Sequence, residues 1–212
     1  MRNVAFSLFS YICIITSCLF CILLSDGSKA YLYTQIGLIG TVGADFFLVF
    51  LPFQLRVPGM ICFCATQLAY FLRTYSEDEN PIRKKVHFIL RIAVSVLSVA
   101  VTGIVLGSRI DALSLISVFY YAHLLLNVIF SFVQFKKLHI LAIALFMFII
   151  SDTLIGFDNL SSYLLIPRGS IIYIIMRLGK SFLYPLYIAS QIMIPLSMVP
   201  RKRKALQRKT TE

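Results

Sequence analysis

Two aspartates stand where aspartates are expensive. Asp45 lies in the stretch GLIGTVGADFFLV, residues 37–49, and Asp152 in ALFMFIISDTLIGF; both stretches sit inside long apolar runs. A charged carboxylate at the centre of a membrane helix costs roughly 2.5–3.5 kcal/mol on insertion scales, so such a group is kept for a partner or a task. Two carboxyl groups that face each other across one polar pocket can divide acid and base roles between them. Asp45 and Asp152 are expected to form such a pair and to act on a lipid. No rival chemistry competes with them. There is no G-x-S-x-G nucleophile elbow and no H-E-x-x-H cluster, and the 3 histidines are scattered. Neither a metal nor a cofactor is expected.

Carboxylates of this kind need apolar elements to carry them, and the composition supplies those. Of the 212 residues 59% are hydrophobic, and the mean hydropathy is +0.87. Soluble domains are about 45–50% apolar. The apolar runs are about 20 residues long and do not alternate, which indicates helices rather than a barrel. The predicted fold is an all-α, polytopic helical membrane bundle, one transmembrane domain over residues 1–199 followed by a basic cytoplasmic tail over 200–212. The formal net charge of +11 gathers in loops and in the tail PRKRKALQRKTTE. That is the signature of membrane orientation. No nucleic-acid partner is expected, because the basic tail has no interleaved aromatic residues and no folded module beside it. The 5 cysteines, Cys13, Cys18, Cys21, Cys62 and Cys64, lie in apolar segments without a second metal-spaced pair and read as free thiols filling helix contacts.

About seven spans are expected from the apolar runs, near 4–24, 31–51, 58–72, 86–106, 112–133, 138–157 and 182–199. Asp45 falls in the second and Asp152 in the sixth. The connections read as a turn at 25–29, a tight loop at 53–58, a polar loop at 74–85, a turn at 108–111 and a basic turn at 135–137. Glu77, Asp78 and Glu79 are expected in a solvated turn. Arg91, about one turn inside its span, is expected to snorkel to the interface. Residues 160–180, interrupted by Pro167, Arg168 and Gly169, suggest an interfacial or re-entrant hairpin. With the tail on the cytoplasmic side, Arg83, Lys84, Lys85, Lys136 and Lys137 fall there too, and the N-terminus lies outside.

Polar residues within the spans keep helical spacing. Gly59, Phe63, Gln67 and Tyr70 share a face at steps of four, four and three, as do Tyr120, His123 and Asn127, and as do Tyr184, Tyr187 and Gln191. The first stripe suits either a helix–helix contact with an amide cross-link or a substrate-facing surface. His123 reads as a hydrogen-bonded interior group.

Four of these stretches, in order from 37 to 197, resemble one family, the YhhN-like lysoplasmalogenases, multi-pass hydrolases of the vinyl ether bond in lysoplasmalogens. GLIGTVGADFFLV is similar to the pattern G-L-x-F-S-x-x-G-D-x-x-L, with Gly37, Leu38, Thr41, Asp45 and Leu48 in register. GMICFCATQLAY resembles G-L-x-x-F-x-x-x-H-x-x-Y through Gly59, Phe63 and Tyr70. LFMFIISDTLIGFDN carries the S-D pair as Ser151 and Asp152. LYIASQIMIPLS matches a Y-Y-x-A-Q-x-L-I-A-L-S pattern at Tyr187, Gln191 and Ser197. The chain departs from the family at Ala44, where a glycine precedes the aspartate, and at Gln67, which stands in place of a histidine.

The resemblance implies a lysophospholipid substrate, no cofactor, and a multi-pass protein of the bacterial cytoplasmic membrane with its C-terminus cytoplasmic. Asp45 and Asp152 are then the expected catalytic pair. Thr41, Gln67, Tyr70, Ser151, Tyr187 and Gln191 are expected to orient water and the polar atoms of the substrate. Paired intramembrane acids also suit a proton-coupled carrier of lipids or small molecules. No internal repeat and no matching pair of broken helices accompanies them here. A structural subunit in which the two acids only hydrogen-bond within the bundle is the third reading. Geometry separates these readings. An enzyme needs the two carboxyl groups within about 10 Å of each other, around one pocket that opens toward the headgroups, whereas a structural pair is in contact and sealed. Oligomeric state is not legible in the sequence.

Overall fold

The computed structural model describes residues 4–51, 55–160, 167 and 169–199. Every regular element among them is helical. In chain order they are α1 (Val4–Leu23), α2 (Lys29–Asp45), α3 (Arg56–Glu77), α4 (Pro81–Leu106), α5 (Ala112–Val133), α6 (Phe135–Leu160) and α7 (Ile171–Leu196). A π-helical turn, Phe46–Phe50, prolongs α2, and a short 3-10 turn, Gly107–Arg109, follows α4. Among the described residues four segments are long and apolar enough to cross a membrane: Lys29–Phe50, Pro81–Arg109, Ala112–Val133 and Phe135–Phe157. Ser7–Leu23 and Ser181–Leu196 are shorter apolar helices.

The helices alternate in direction. α1, α2, α3, α5, α6 and α7 close into a ring, each packed on the next, and α4 lies outside against α5. The distribution of residues is that of a bundle in lipid. Leu8, Phe9, Ile12 and Leu19 of α1 face outward while Ser7, Ser10 and Ser17 are buried. On α4, Val96, Ile104 and Val105 are exposed while Ser98 and Thr102 are buried. Small and weakly polar residues at helix contacts, with large apolar ones outside, are what association in a hydrocarbon solvent requires. These features establish an all-α integral membrane protein.

A close seam joins α2 to α3. A Cβ on Gly37 would lie 2.4 Å from the Tyr70 ring, one on Gly40 2.5 Å from Thr66 Oγ1, and one on Gly59 2.8 Å from Leu48. The bare glycine surfaces let the backbones approach until Thr66 Oγ1, on α3, donates to Gly37 O at 3.1 Å. This register sets the depth of Asp45 relative to Phe63.

Local signals set several boundaries. Asn80 caps α4 by accepting from the amides of Ile82 and Arg83, with Pro81 in the first turn. Asp111 and Ser114 form a reciprocal capping box on α5. Gly107 takes φ +51 just after α4, a conformation that favours glycine.

The structure corrects several expectations. The third span is longer than 58–72, because α3 runs on to Glu77, and the loop at 74–85 shrinks to the link 78–80 before Pro81. Its polar residues continue two helices instead of forming a solvated turn. Glu77 and Asp78 are buried. Arg73 donates to Glu77 at 3.5 Å, and Arg83 Nη2 donates to Asp78 Oδ1 at 2.5 Å. Burial alone would raise the Asp78 carboxyl, but the Arg83 guanidinium and the Asn80 amide outweigh it and hold the group below its usual range. Glu79 is exposed as expected and pairs with Lys137 at 2.7 Å. The basic turn at 135–137 is the first turn of α6, which kinks at Leu138. Residues 171–180, expected in a hairpin, form the first half of α7, which absorbs Pro185 and Pro195 internally. The rest of that stretch from 161 to 166, with Arg168, part of the loop at 53–58, and the tail 200–212 lie outside the described residues.

The α2–α3 seam gives a prediction. Gly37→Ala puts a methyl against the Tyr70 ring and is expected to lower stability by about 2 kcal/mol, as overpacking does. Gly103→Ala, with nothing within 4 Å of the new Cβ, is expected to be neutral or stabilising by up to about 1 kcal/mol. Unfolding midpoints of the two purified variants in detergent test the contrast.

Candidate active site

Asp45 is the last residue of α2, and the chain winds into the wider π-helical turn directly after it. Turns of this kind are often found at functional positions. The side chain is 8% exposed, and its Oδ2 accepts from the Tyr187 hydroxyl of α7 at 2.8 Å. Asp152, on α6, is bound in the same manner: the Tyr120 hydroxyl of α5 donates to its Oδ2. Asp152 is half-buried rather than sealed.

The two pairs share one aromatic cluster. The Tyr120 ring lies 5.2 Å from Phe63, Phe63 lies 6.1 Å from Phe148, and Phe148 lies 5.6 Å from Tyr187, centroid to centroid. A chain of four rings therefore has a carboxyl group at each end. Phe63 and Phe148 stand between the two pairs. Tyr11 of α1, half-buried, meets Phe50 edge-on at 4.9 Å.

The other candidate residues divide by location. Ser151 adjoins Asp152 and donates to Phe148 O at 2.9 Å. Gln191 is buried one turn beyond Tyr187, with its amide donating to Ser190 Oγ at 3.3 Å. Thr41, one turn before Asp45, donates to Gly37 O at 3.0 Å, and Tyr70 packs against Gly37. These last two belong to the α2–α3 seam. Gln67 lies one turn beyond Phe63 and faces a different group, with Asn127 Nδ2 donating to its Oε1 at 2.9 Å. Tyr187 is thus brought to Asp45, and Ser151 stands beside Asp152; Thr41, Tyr70 and Gln67 lie in neighbouring layers.

Gln67 leads to a second polar cluster in which Arg91 is central. Arg91 does not snorkel; it is 7% exposed. It lies over the Phe71 ring at 4.2 Å and donates to Asn127 Oδ1 and, at 2.9 Å, to His123 Nδ1. A guanidinium has no acceptor, so His123 Nδ1 is the acceptor here. Its Nε2 then carries the proton and donates to Ser95 Oγ at 3.0 Å, and Ser95 donates to Arg91 O at 2.7 Å. His123 is the interior group its spacing suggested. Arg91 turns inward because Ser95, His123 and Asn127 offer it acceptors at its own depth.

Two residues escaped sequence reasoning as site members. Tyr120 was visible only as part of a helical stripe, since a tyrosine in an apolar run carries no mark of which acid it meets. Arg91 was visible only as a charge near a helix end, and Ser95, one turn along the same face, was the available hint.

Comparison with known proteins shows the family of the chain. Neither a curated protein nor a solved structure matches the chain. A family model, that of the YhhN family, matches residues 3–198, nearly the whole chain and including both aspartates and both tyrosines, so the chain belongs to the YhhN family.

Proposed function

We propose that this protein hydrolyses the vinyl ether bond of lysoplasmalogens, with Asp45 and Asp152 as the catalytic acid–base pair. Membership of the YhhN family, a family of lysoplasmalogenases, supports the substrate class. The observation that carries the reading is the placement of two carboxyl groups, each held by a tyrosine, around one aromatic centre.

The reaction needs few parts. A carboxylic acid gives its proton to the β-carbon of the alkenyl chain, and the alkene electron pair forms the new C–H bond. The α-carbon becomes an oxocarbenium ion, which the partner carboxylate and the faces of the four rings steady. Water adds to that carbon and loses a proton to a carboxylate. The hemiacetal then collapses: its hydroxyl proton is taken up, the C–O bond to glycerol breaks, and the glycerol oxygen is protonated. The products are a fatty aldehyde and a glycerophospho-alcohol, and the protein ends with the proton it began with. Tyr120 and Tyr187 fix the carboxyl groups in orientation, and Ser151 and Gln191 are placed to order the water. Gln67 occupies the position of the family's histidine and acts through Asn127 on the far layer. The chain is read as a single membrane domain over 1–199 with the tail over 200–212 on the cytoplasmic side, in a bacterial cytoplasmic membrane.

Asp45→Asn and Asp152→Asn are each expected to lower kcat by roughly 10²–10⁴-fold, the range for loss of a general acid or base, with folding intact by thermal unfolding. Aldehyde release from lysoplasmalogen by purified protein is the assay, and full activity in either variant rejects the assignment. Tyr120→Phe removes one hydrogen bond to Asp152 and is expected to cost about tenfold in kcat, equivalent to about 1.4 kcal/mol. Its pH–rate profile should also move, which mere packing loss would not produce. The ester analogue of the same lysolipid should yield no aldehyde and no fatty acid.

A further inference from the structure

Five helix ends meet at one face of the bundle. Tyr31, near the start of α2, donates to Met198 O, just past α7, at 3.3 Å. Arg73 of α3 donates to Ser197 Oγ at 2.7 Å. Lys137, in the first turn of α6, donates to Glu77 O at the end of α3 at 2.8 Å, and the link 78–80 leads from there into α4. The starts of α2, α4 and α6 therefore lie together with the ends of α3 and α7.

Most charges on this face cancel in pairs. Arg73 pairs with Glu77 at 3.5 Å, Arg83 with Asp78 at 2.5 Å, and Lys137 with Glu79 at 2.7 Å. Asp26 stands close in sequence to Lys29 and offsets it. Lys84, Lys85 and Lys136 are left, with no carboxylate partner among the described residues. Lys84 lies over the Tyr75 ring at 5.3 Å, while Lys85 and Lys136 are exposed. All three stand at the starts of α4 and α6, where the helix dipole disfavours a cation, and neither first turn holds an acid.

Exposed apolar faces run inward from these lysines. Lys85, Ile89, Ile92 and Val96 recur at steps of four, three and four on one face of α4, and the last three are exposed. Beside Lys136, exposed Phe135 stacks on exposed Phe132 of α5 at 5.7 Å, and Ile143 and Phe146 are exposed further along α6. From Lys85 to Val96 is about 16 Å at 1.5 Å per residue. One leaflet of hydrocarbon is about 15 Å deep, half of the core. A free anion has no use for such a strip. A phospholipid fits it, with its phosphate at the lysine and an acyl chain along the strip. A zwitterionic headgroup would leave the lysine charge uncompensated, whereas an anionic one neutralises it.

We propose that Lys84, Lys85 and Lys136 bind anionic phospholipid headgroups in the leaflet at this face, with the acyl chains laid on the exposed faces of α4 and of α5 and α6. The occupant is bilayer lipid and not the substrate of the two acids, so this does not depend on the lysoplasmalogenase reading. Each lysine near a membrane surface adds about fivefold to the attraction for anionic lipid.

The test uses the full chain in neutral detergent with an equimolar mixture of phosphatidylglycerol and phosphatidylcholine of the same acyl chains. Lipid retained by the protein is counted by mass spectrometry. The parent should retain phosphatidylglycerol over phosphatidylcholine by about fivefold or more, and a smaller excess overturns the proposal. Lys84→Gln, Lys85→Gln and Lys136→Gln together should cut that excess at least threefold, and a smaller cut overturns it. Lys84→Arg, Lys85→Arg and Lys136→Arg together should keep the excess, and its loss overturns a role for charge. If the glutamine variant fails to fold, Lys85→Gln with Lys136→Gln, both at exposed positions, should still halve the excess; no change overturns the proposal. Arg177→Gln with Lys180→Gln, in the first half of α7, and Arg201→Gln with Lys202→Gln and Arg203→Gln, in the tail, should each leave it within twofold. A threefold loss from either overturns the assignment to α4 and α6. Inorganic phosphate at constant ionic strength should not displace the lipid, and displacement overturns it in favour of a free anion.

Discussion

A carboxyl group inside a helical bundle in lipid must be given a donor, and this constraint shapes the centre of the protein. Tyr187 meets Asp45 and Tyr120 meets Asp152, so each polar cost is met by a phenol whose ring also packs in the core. Because the donors sit on other helices, the two bonds fasten α2 to α7 and α6 to α5. Phe63 and Phe148 fill the space between the pairs. Removing either bond would leave a buried acid without its partner, which costs more than the bond itself contributes.

The tightness of the α2–α3 seam serves the same centre. Gly37, Gly40 and Gly59 bring α3 close enough for Phe63 to enter the ring cluster. Thr41 and Tyr70, which match the family pattern, stand on this seam and not at the carboxyl groups. The layer of Arg91, His123, Asn127 and Gln67 is a second polar centre with different logic: a cation distributed over neutral acceptors and an aromatic face. Asn127 and Tyr120 lie on the same face of α5, so this layer buttresses the helix that presents Tyr120 to Asp152.

The sequence alone determined the solvent of the fold, the helical class and the two acids, because apolar length and an intramembrane charge are properties of a segment by itself. Ala112–Val133 was readable to the residue, since a capping aspartate and an apolar run mark it locally. It also showed that Tyr120, His123 and Asn127 share a face. Only the tertiary structure decided which of them meets an acid and which meets Arg91, because a partner on another helix leaves no trace in local spacing. The same reason explains Glu77 and Asp78, whose charges look solvated in sequence and are buried by Arg73 and Arg83. It explains Arg91 as well, which could have snorkelled had α5 not offered it acceptors. The contacts of Arg73 with Ser197 and of Tyr31 with Met198 were likewise invisible, because they join helices distant in the chain.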